Sequence, residues 1–450
     1  MLALLVSSCL KDDDSDVVYY SDVAIISAQL GTMSREMHTT SSKGQDSVYY
    51  STFVGSQFPL YIDQLNGKIY NADSLPCGTK TKAIVTLSAK NGGYISLKKI
   101  GSDSLEVYSA TDSIDLSQPR VLRVFANDGS TSRDYTLELR VHKEFANVFT
   151  WDQKSTAQEI AELNNMRAFN LGDNMVVYGT ADNAKLSFYA TALNDGNAWT
   201  SLGSSFAANA TVVANGTTAY ALSEGQLYSS TDAANWNNVA AAADLKSLIG
   251  VTSANIYALA NDGSVMVSAD GINWEADALD DDPSLFPTTD INAVAFKQRA
   301  NSDIEKLIVI GNRDASLYPE DGEAKVWSKL DGALKYGEKQ PWMYQMFEDN
   351  SSFKAPALEH LCVTPYAEGM LMIGGNSIVD GVETALSKIR YSIDQGLTWH
   401  TDKRFFLPDG FNSSNTSFAI SADKNNYLWL FCGTTGQVWK GHLSQLLWAE

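Results

Sequence analysis

Five arginines after residue 144 are the first candidates for chemistry: Arg167, Arg299, Arg313, Arg390 and Arg404. Guanidinium forks grip carboxylates in two-pronged geometry, so converging arginines would suit an anionic ligand. Two insertions add further polar groups. Gly311–Gly322 carries Arg313 and Asp314 as polar contacts and Tyr318 as a stacking platform, and Gly374–Glu383 carries Asn376 and Asp380. These five are the candidate ligand-binding residues, because long loops on a rigid scaffold are disproportionately functional. Paired carboxylates could serve a glycosidase, but an acidic chain offers many such pairs, and Asp280-Asp281-Asp282 reads as a solvated loop. There is no nucleophile elbow, phosphate loop or His-rich motif, so no catalytic residue is assigned. The cysteines are Cys9, Cys77, Cys362 and Cys432, with no C-x-x-C among them. The pair His360/Cys362 reads as two strand positions on one face, so neither metal nor cofactor is expected.

Charge narrows the partners. The 450 residues hold 53 acids against 33 bases, a formal net charge of −20. That excess argues against nucleic acid and against anionic membrane surfaces. The 20 Tyr and 10 Trp suit β-strands and carbohydrate contact alike.

The elements that would position these groups announce themselves as a recurring hairpin. Its full form is Ser392-Ile393-Asp394-Gln395-Gly396-Leu397-Thr398-Trp399. The Asp carboxylate caps the amides of its own turn, Gly takes a positive φ at no steric cost, and Trp buries a large apolar area. Shorter copies are Ser268, Asp270 and Trp274, then Ser230, Asp232 and Trp236; a looser one ends in Trp199. Around each lie an apolar run such as Ile256–Leu259 and a second strand such as Val265–Val267. Aligning them gives six units ending at Trp199, Trp236, Trp274, Trp342, Trp399 and Trp448. Units of four strands recurring every 40 or so residues are the mark of a propeller. Six blades are expected over 144–450, with a seventh in the interval 274–342 as the alternative. Val148–Trp151 could add a strand to the last unit and close the ring.

The hairpins resemble the Asp-box, or BNR, repeat of sialidase-like β-propellers. The resemblance implies a structural lock placed away from the ligand end, so Ser392, Asp394, Gly396, Thr398 and Trp399 and their counterparts are structural residues. Sialidases carry an early Arg-Ile-Pro motif, which this chain lacks. Sialidase activity is therefore not expected.

Residues 17–143 read as about seven short strands, the size of an Ig-like sandwich. In Tyr135–Val141, residues Tyr135, Leu137, Leu139 and Val141 alternate with polar neighbours, and Asp128-Gly129 marks the hairpin before them. This hairpin resembles those of cadherin-like and bacterial Ig-like modules. Residues 1–16 are an apolar start, then Ser7-Ser8-Cys9 and an acidic run. They resemble the lipobox and export signal of Bacteroidetes surface lipoproteins, which implies lipidation at Cys9. The fold class expected is thus all-β, an Ig-like sandwich followed by a propeller. The expected function is a non-catalytic outer-membrane lipoprotein, exposed at the cell surface, whose propeller binds a glycan or a surface protein. It would touch the membrane only through its lipid. The alternative is a glycoside hydrolase or lyase working in the propeller's funnel.

Overall fold

The computed structural model describes residues 18–40, 46–181, 185–332, 339–346, 353–379, 388–411 and 417–444. Cys9, Asp380 and Trp448 lie outside them. The chain forms two compact units, Phe149–Leu443 and Met1–Val148 with Ser444–Glu450.

The larger unit contains six four-stranded antiparallel sheets among the described residues. Sheets one to five are consecutive meanders. Their first strands are Asn164–Leu171, Thr211–Ala214, Leu245–Val251, Thr289–Gln298 and Cys362–Tyr366. Sheet six begins with Phe418–Ala422, and its outermost strand is Phe149–Gln153, paired antiparallel with Gln437–Leu443. First strands of consecutive sheets lie against one another, and that of sheet six lies against that of sheet one. The sheets therefore stand in a closed ring.

Burial explains why these segments are strands. The second strand of each sheet is covered on both faces, and its sequence is a nearly unbroken apolar run. Ile256–Ala260, Gly369–Ile373 and Leu428–Cys432 are buried at every residue. The fourth strands of sheets three and five, Glu275–Ala276 and His400–Thr401, are exposed and short.

The recurring hairpins join third to fourth strands. In sheet five, Ser392 Oγ donates to Asp394 Oδ1 (2.8 Å) and accepts from Gly396 N (2.8 Å). Asp394 Oδ1 accepts from Thr398 N at 2.8 Å, and Trp399 Nε1 donates to the Gly396 carbonyl at 3.2 Å. Gly396 has φ +88°, a conformation that costs a glycine nothing. The same bonds recur at Ser268/Asp270/Trp274 and Ser230/Asp232/Trp236. Four hydrogen bonds from Asn235, Ala234 and Ser230, the Asn235 backbone amide foremost, hold the Asp232 carboxyl down to about 2. Each tryptophan packs on the sheet before its own. Trp236 meets Phe188 and Phe206 of sheet one, Trp399 joins the core around Ile308 and Val326 of sheet four, and Trp199 meets Phe431 of sheet six. Trp342 uses another anchor: it is fully buried against Tyr257 of sheet three and donates to Asp277 Oδ2 at 2.9 Å.

The smaller unit is also all-β. One sheet has three strands, Ile25–Leu30, Lys82–Ala89 and Ser113–Asp115. Another has six, in the order Leu60–Asp63, Lys68–Asn71, Ser132–Glu138, Arg120–Phe125, Tyr94–Lys98 and Leu105–Val107. A hairpin, Thr32–Thr40 with Asp46–Val54, completes it. Ile25, Val85, Ile69, Leu122, Val124, Tyr135 and Leu137, drawn from the two larger sheets, form one core. Tyr135 and Leu137 are fully buried, whereas Leu139 and Val141 are partly covered. Ser132–Glu138 pairs on its other edge in parallel with Lys68–Asn71, a long-range contact that local patterning does not reveal.

Candidate functional site

The ring encloses a cavity of about 990 Å3, lined by the first strands of all six sheets. This is the upper end of ordinary ligand pockets, about 300–1,000 Å3. Neutral polar side chains, among them Asn165, Thr211, Ser247, Asn292 and Thr364, alternate on the lining with apolar ones such as Ala210, Val213 and Ile249.

One cluster of charged and titratable groups meets at the axis. Arg167, of sheet one, is the only arginine on the lining. Its Nη2 donates to Asp290 Oδ1 of sheet four at 3.1 Å, and its Nη1 lies 3.1 Å from both Nδ1 of His360 and Sγ of Cys362, before and within sheet five. His360 Nε2 is 2.9 Å from the carbonyls of Met166 and Phe418. Carbonyls only accept, so Nε2 carries the hydrogen, while Arg167 Nη1 lies against the ring, 2.9 Å from Nε2 and 3.1 Å from Nδ1. Burial, then the Arg167 charge, push the His360 imidazole down to about 3, so it is neutral at ordinary pH. Burial pushes the Cys362 thiol up, and it pushes the Tyr178 phenol beside the cluster up to about 12.

Local backbone aims these groups. Asn165, Asp290 and His360 have φ of 50°, 47° and 50°. That region is sparsely populated by residues other than glycine, and Asn, Asp and His are the types that tolerate it best. Asn165 and Asp290 sit where the pairing register of their strands shifts. Such bulges re-aim side chains next to functional sites. Asn292 fixes the neighbouring strand, donating to the carbonyls of Asp290 and Leu361 and accepting from Val363 N. Asn312, 1% exposed, donates to Asp290 Oδ2 (3.2 Å) and to the Leu358 carbonyl (2.8 Å), while its Oδ1 is buried without a partner.

The sequence-derived ligand residues fall elsewhere. Arg313 forms a two-pronged pair with Asp321 (2.5 and 2.7 Å), and its guanidinium lies 3.6 Å from the centre of the Tyr318 ring. Asp314 accepts from Ser316 within its own turn. Asn376 is exposed, and its carbonyl accepts from Glu359 N. The two insertions do approach each other through Ala357, whose amide donates to Gly322 and whose carbonyl accepts from Ile378. None of these residues lines the axial cavity. Arg299 pairs with Glu368 and Arg404 with Asp402, so the arginines do not converge. Arg167, Asp290 and the His360/Cys362 pair escaped notice as a site because their partners are remote in sequence. The one local signal was the inversion-prone Asn, Asp and His types at strand starts. Among the described residues, no three or more His, Cys, Asp or Glu side chains are grouped to hold a metal.

A family model described as the DUF6242 beta propeller domain matches residues 146–450, and one for the DUF6242 N-terminal domain matches 28–139. The chain belongs to the DUF6242 family. Its larger unit is thus a β-propeller, and the Arg167 cluster occupies the propeller's centre. Solved structures similar to this DUF6242 chain include the SapL1 lectin in complex with alpha methyl fucoside, at 10% identity and a TM-score of 0.38, over 61% of this chain and 90% of the lectin. Another is the Penicillium chrysogenum alpha-L-arabinanase complexed with arabinobiose, at 12% identity and a TM-score of 0.36, over 67% and 98% of the two chains. At these scores neither bears on what the DUF6242 chain binds. No curated protein matches it.

Proposed function

We propose that this DUF6242 chain is a non-catalytic cell-surface lipoprotein whose propeller binds a glycan in its axial cavity. In this reading the six sheets are six blades, the Ser–Asp–Trp hairpins are Asp-boxes, and the smaller unit is an Ig-like spacer. Lipidated Cys9 anchors the chain at the outer membrane. Arg313, Asp314, Tyr318 and Asn376 belong to an outer rim over blades four and five, which a long glycan would also touch, and Asp380 remains a candidate contact from sequence alone.

The cavity's chemistry carries the binding reading. Hydroxyl and amide side chains on a preformed surface match a ligand made of hydroxyls, and a rigid ring loses little entropy on binding. Catalysis is less well supported. A general acid or base works best with a pKa near the operating pH. Here His360 is held neutral, the Cys362 thiol is pushed up, and Asp290 is paired with Arg167.

Purified full-length protein on an array of bacterial, plant and mucin glycans should retain at least one glycan without cleaving it. New reducing ends or unsaturated products from the bound glycan would overturn the non-catalytic reading in favour of the hydrolase or lyase. For the anchor, Cys9→Ala should move the protein from membranes to the soluble fraction; unchanged fractionation would remove the lipid from the proposal.

A further inference from the structure

The six first strands follow one another around the ring, so sheets one and four face each other across its axis. The pair Arg167–Asp290 joins those two sheets and therefore spans the opening. On the side of sheets five and six, His360 and Cys362 stand beside the pair, and Thr364 and Ser421 of those sheets line the cavity further on. The His360 ring packs edge-on against Phe418, with centroids 5.0 Å apart, and Cys362 lies beneath it. On the side of sheets two and three, small residues line the cavity, including Ala210, Thr211, Ser247 and Gly250.

Charge constrains what can occupy it. Arg167, Lys297 and Lys424 line the cavity along with Asp290, Glu305 and Asp423, three of each sign. Several are held by the protein: Arg167 by Asp290, Glu305 by Ser253 N (2.8 Å), Asp423 by Trp429 Nε1 (2.9 Å), and Lys424 by Asp173. An acidic ligand would lose hydration here and find Arg167 and Lys424 already paired. A neutral polyol meets no such penalty. Arg167 and Asp290 keep 25% and 24% of their side chains exposed, enough to be touched. A guanidinium only donates and a carboxylate only accepts, and a carboxylate has room for about four hydrogen bonds. Adjacent sugar hydroxyls can both accept and donate, so one pair can engage both ends of the bridge.

We infer that the Arg167–Asp290 bridge makes this cavity selective for uncharged glycans, which place neighbouring hydroxyls on the two bridge residues. The inference rests on the glycan-binding reading above. Titration calorimetry of the full chain at neutral pH with linear hexasaccharides tests it: cellohexaose, xylohexaose and mannohexaose as neutral probes, hexagalacturonate and hexamannuronate as acidic ones. At least one neutral hexamer should bind, and the acidic ones about tenfold more weakly or not at all, the loss of one charge-compatible contact. Acidic hexamers binding as tightly as neutral ones would overturn the selectivity and leave glycan binding intact. Silence from all five would overturn glycan binding itself, and the selectivity with it. Asp290→Asn keeps the side-chain shape but frees the guanidinium, so acidic hexamers should gain about tenfold over neutral ones. An unchanged preference in a variant with the wild-type circular dichroism spectrum would remove the bridge from the account.

Discussion

The rim and the axis of the propeller use the same residue types in opposite ways. At the rim, Asp394 finds Ser392 and Thr398 within four residues, and the motif recurs in other sheets. At the axis, Asp290 meets Arg167 across 123 residues and His360 meets it across 193, in an arrangement built once. Local partners make a unit that can be copied. Remote partners make one that the whole ring must assemble.

The largest effect should come from the rim. Trp399 is 3% exposed, so Trp399→Ala should cost about 3–5 kcal/mol of unfolding free energy in denaturant titrations. Trp274 is only half-buried, and Trp274→Ala should cost less, about 1–2 kcal/mol, because less apolar surface is lost. Equal costs would mean that the copies are not graded by burial.

Next comes a contrast of polar groups. Arg167→Ala leaves Asp290 without its countercharge in a partly buried place, and should cost about 2–3 kcal/mol. Asp394→Ala removes turn hydrogen bonds, and should cost about 1–2 kcal/mol. The reverse order would make the axial pair incidental to stability.

A third contrast, nil at neutral pH, separates rim from axis as the medium turns acid. His360 titrates near 3 when folded and near 6.5 otherwise. As pH falls from 6.5 to 3, the unfolded chain takes up a proton that the folded chain refuses, so stability drops across that interval. Asp232 is held at about 2 against an ordinary 3.8. Its contribution is complete above 3.8 and is lost as pH falls towards 2. Denaturation midpoints measured against pH should lose part of the first decline in His360→Asn and part of the second in Asp232→Asn. Identical profiles in wild type and both variants would refute both assignments.

The same contrast explains what the sequence revealed. The hairpins were legible because a carboxylate, a hydroxyl and a ring within eight residues already specify a turn. The second strands were legible because burial on both faces leaves unbroken apolar runs such as Leu307–Ile310. Arg167 was one of five arginines with nothing local to distinguish it, and His360/Cys362 looked like an ordinary strand face. Arg313 and Tyr318 carried the right chemistry for a ligand, but Asp321, eight residues on, takes up the guanidinium. Pattern reading counts such groups without showing what they already touch.

The pairing of Phe149–Gln153 with Gln437–Leu443 sets an order on synthesis. Sheet six needs the first strand of the propeller and its last three together. Until the ribosome has delivered those last strands, Phe149–Gln153 has no mate, and sheet one lacks the neighbour that covers Trp199. The growing chain therefore carries an open seam whose bare strand edges invite pairing with other chains. A nascent chain of this kind has reason to meet a chaperone before its final hairpin emerges, and a premature stop within that hairpin would leave the hoop unsealed.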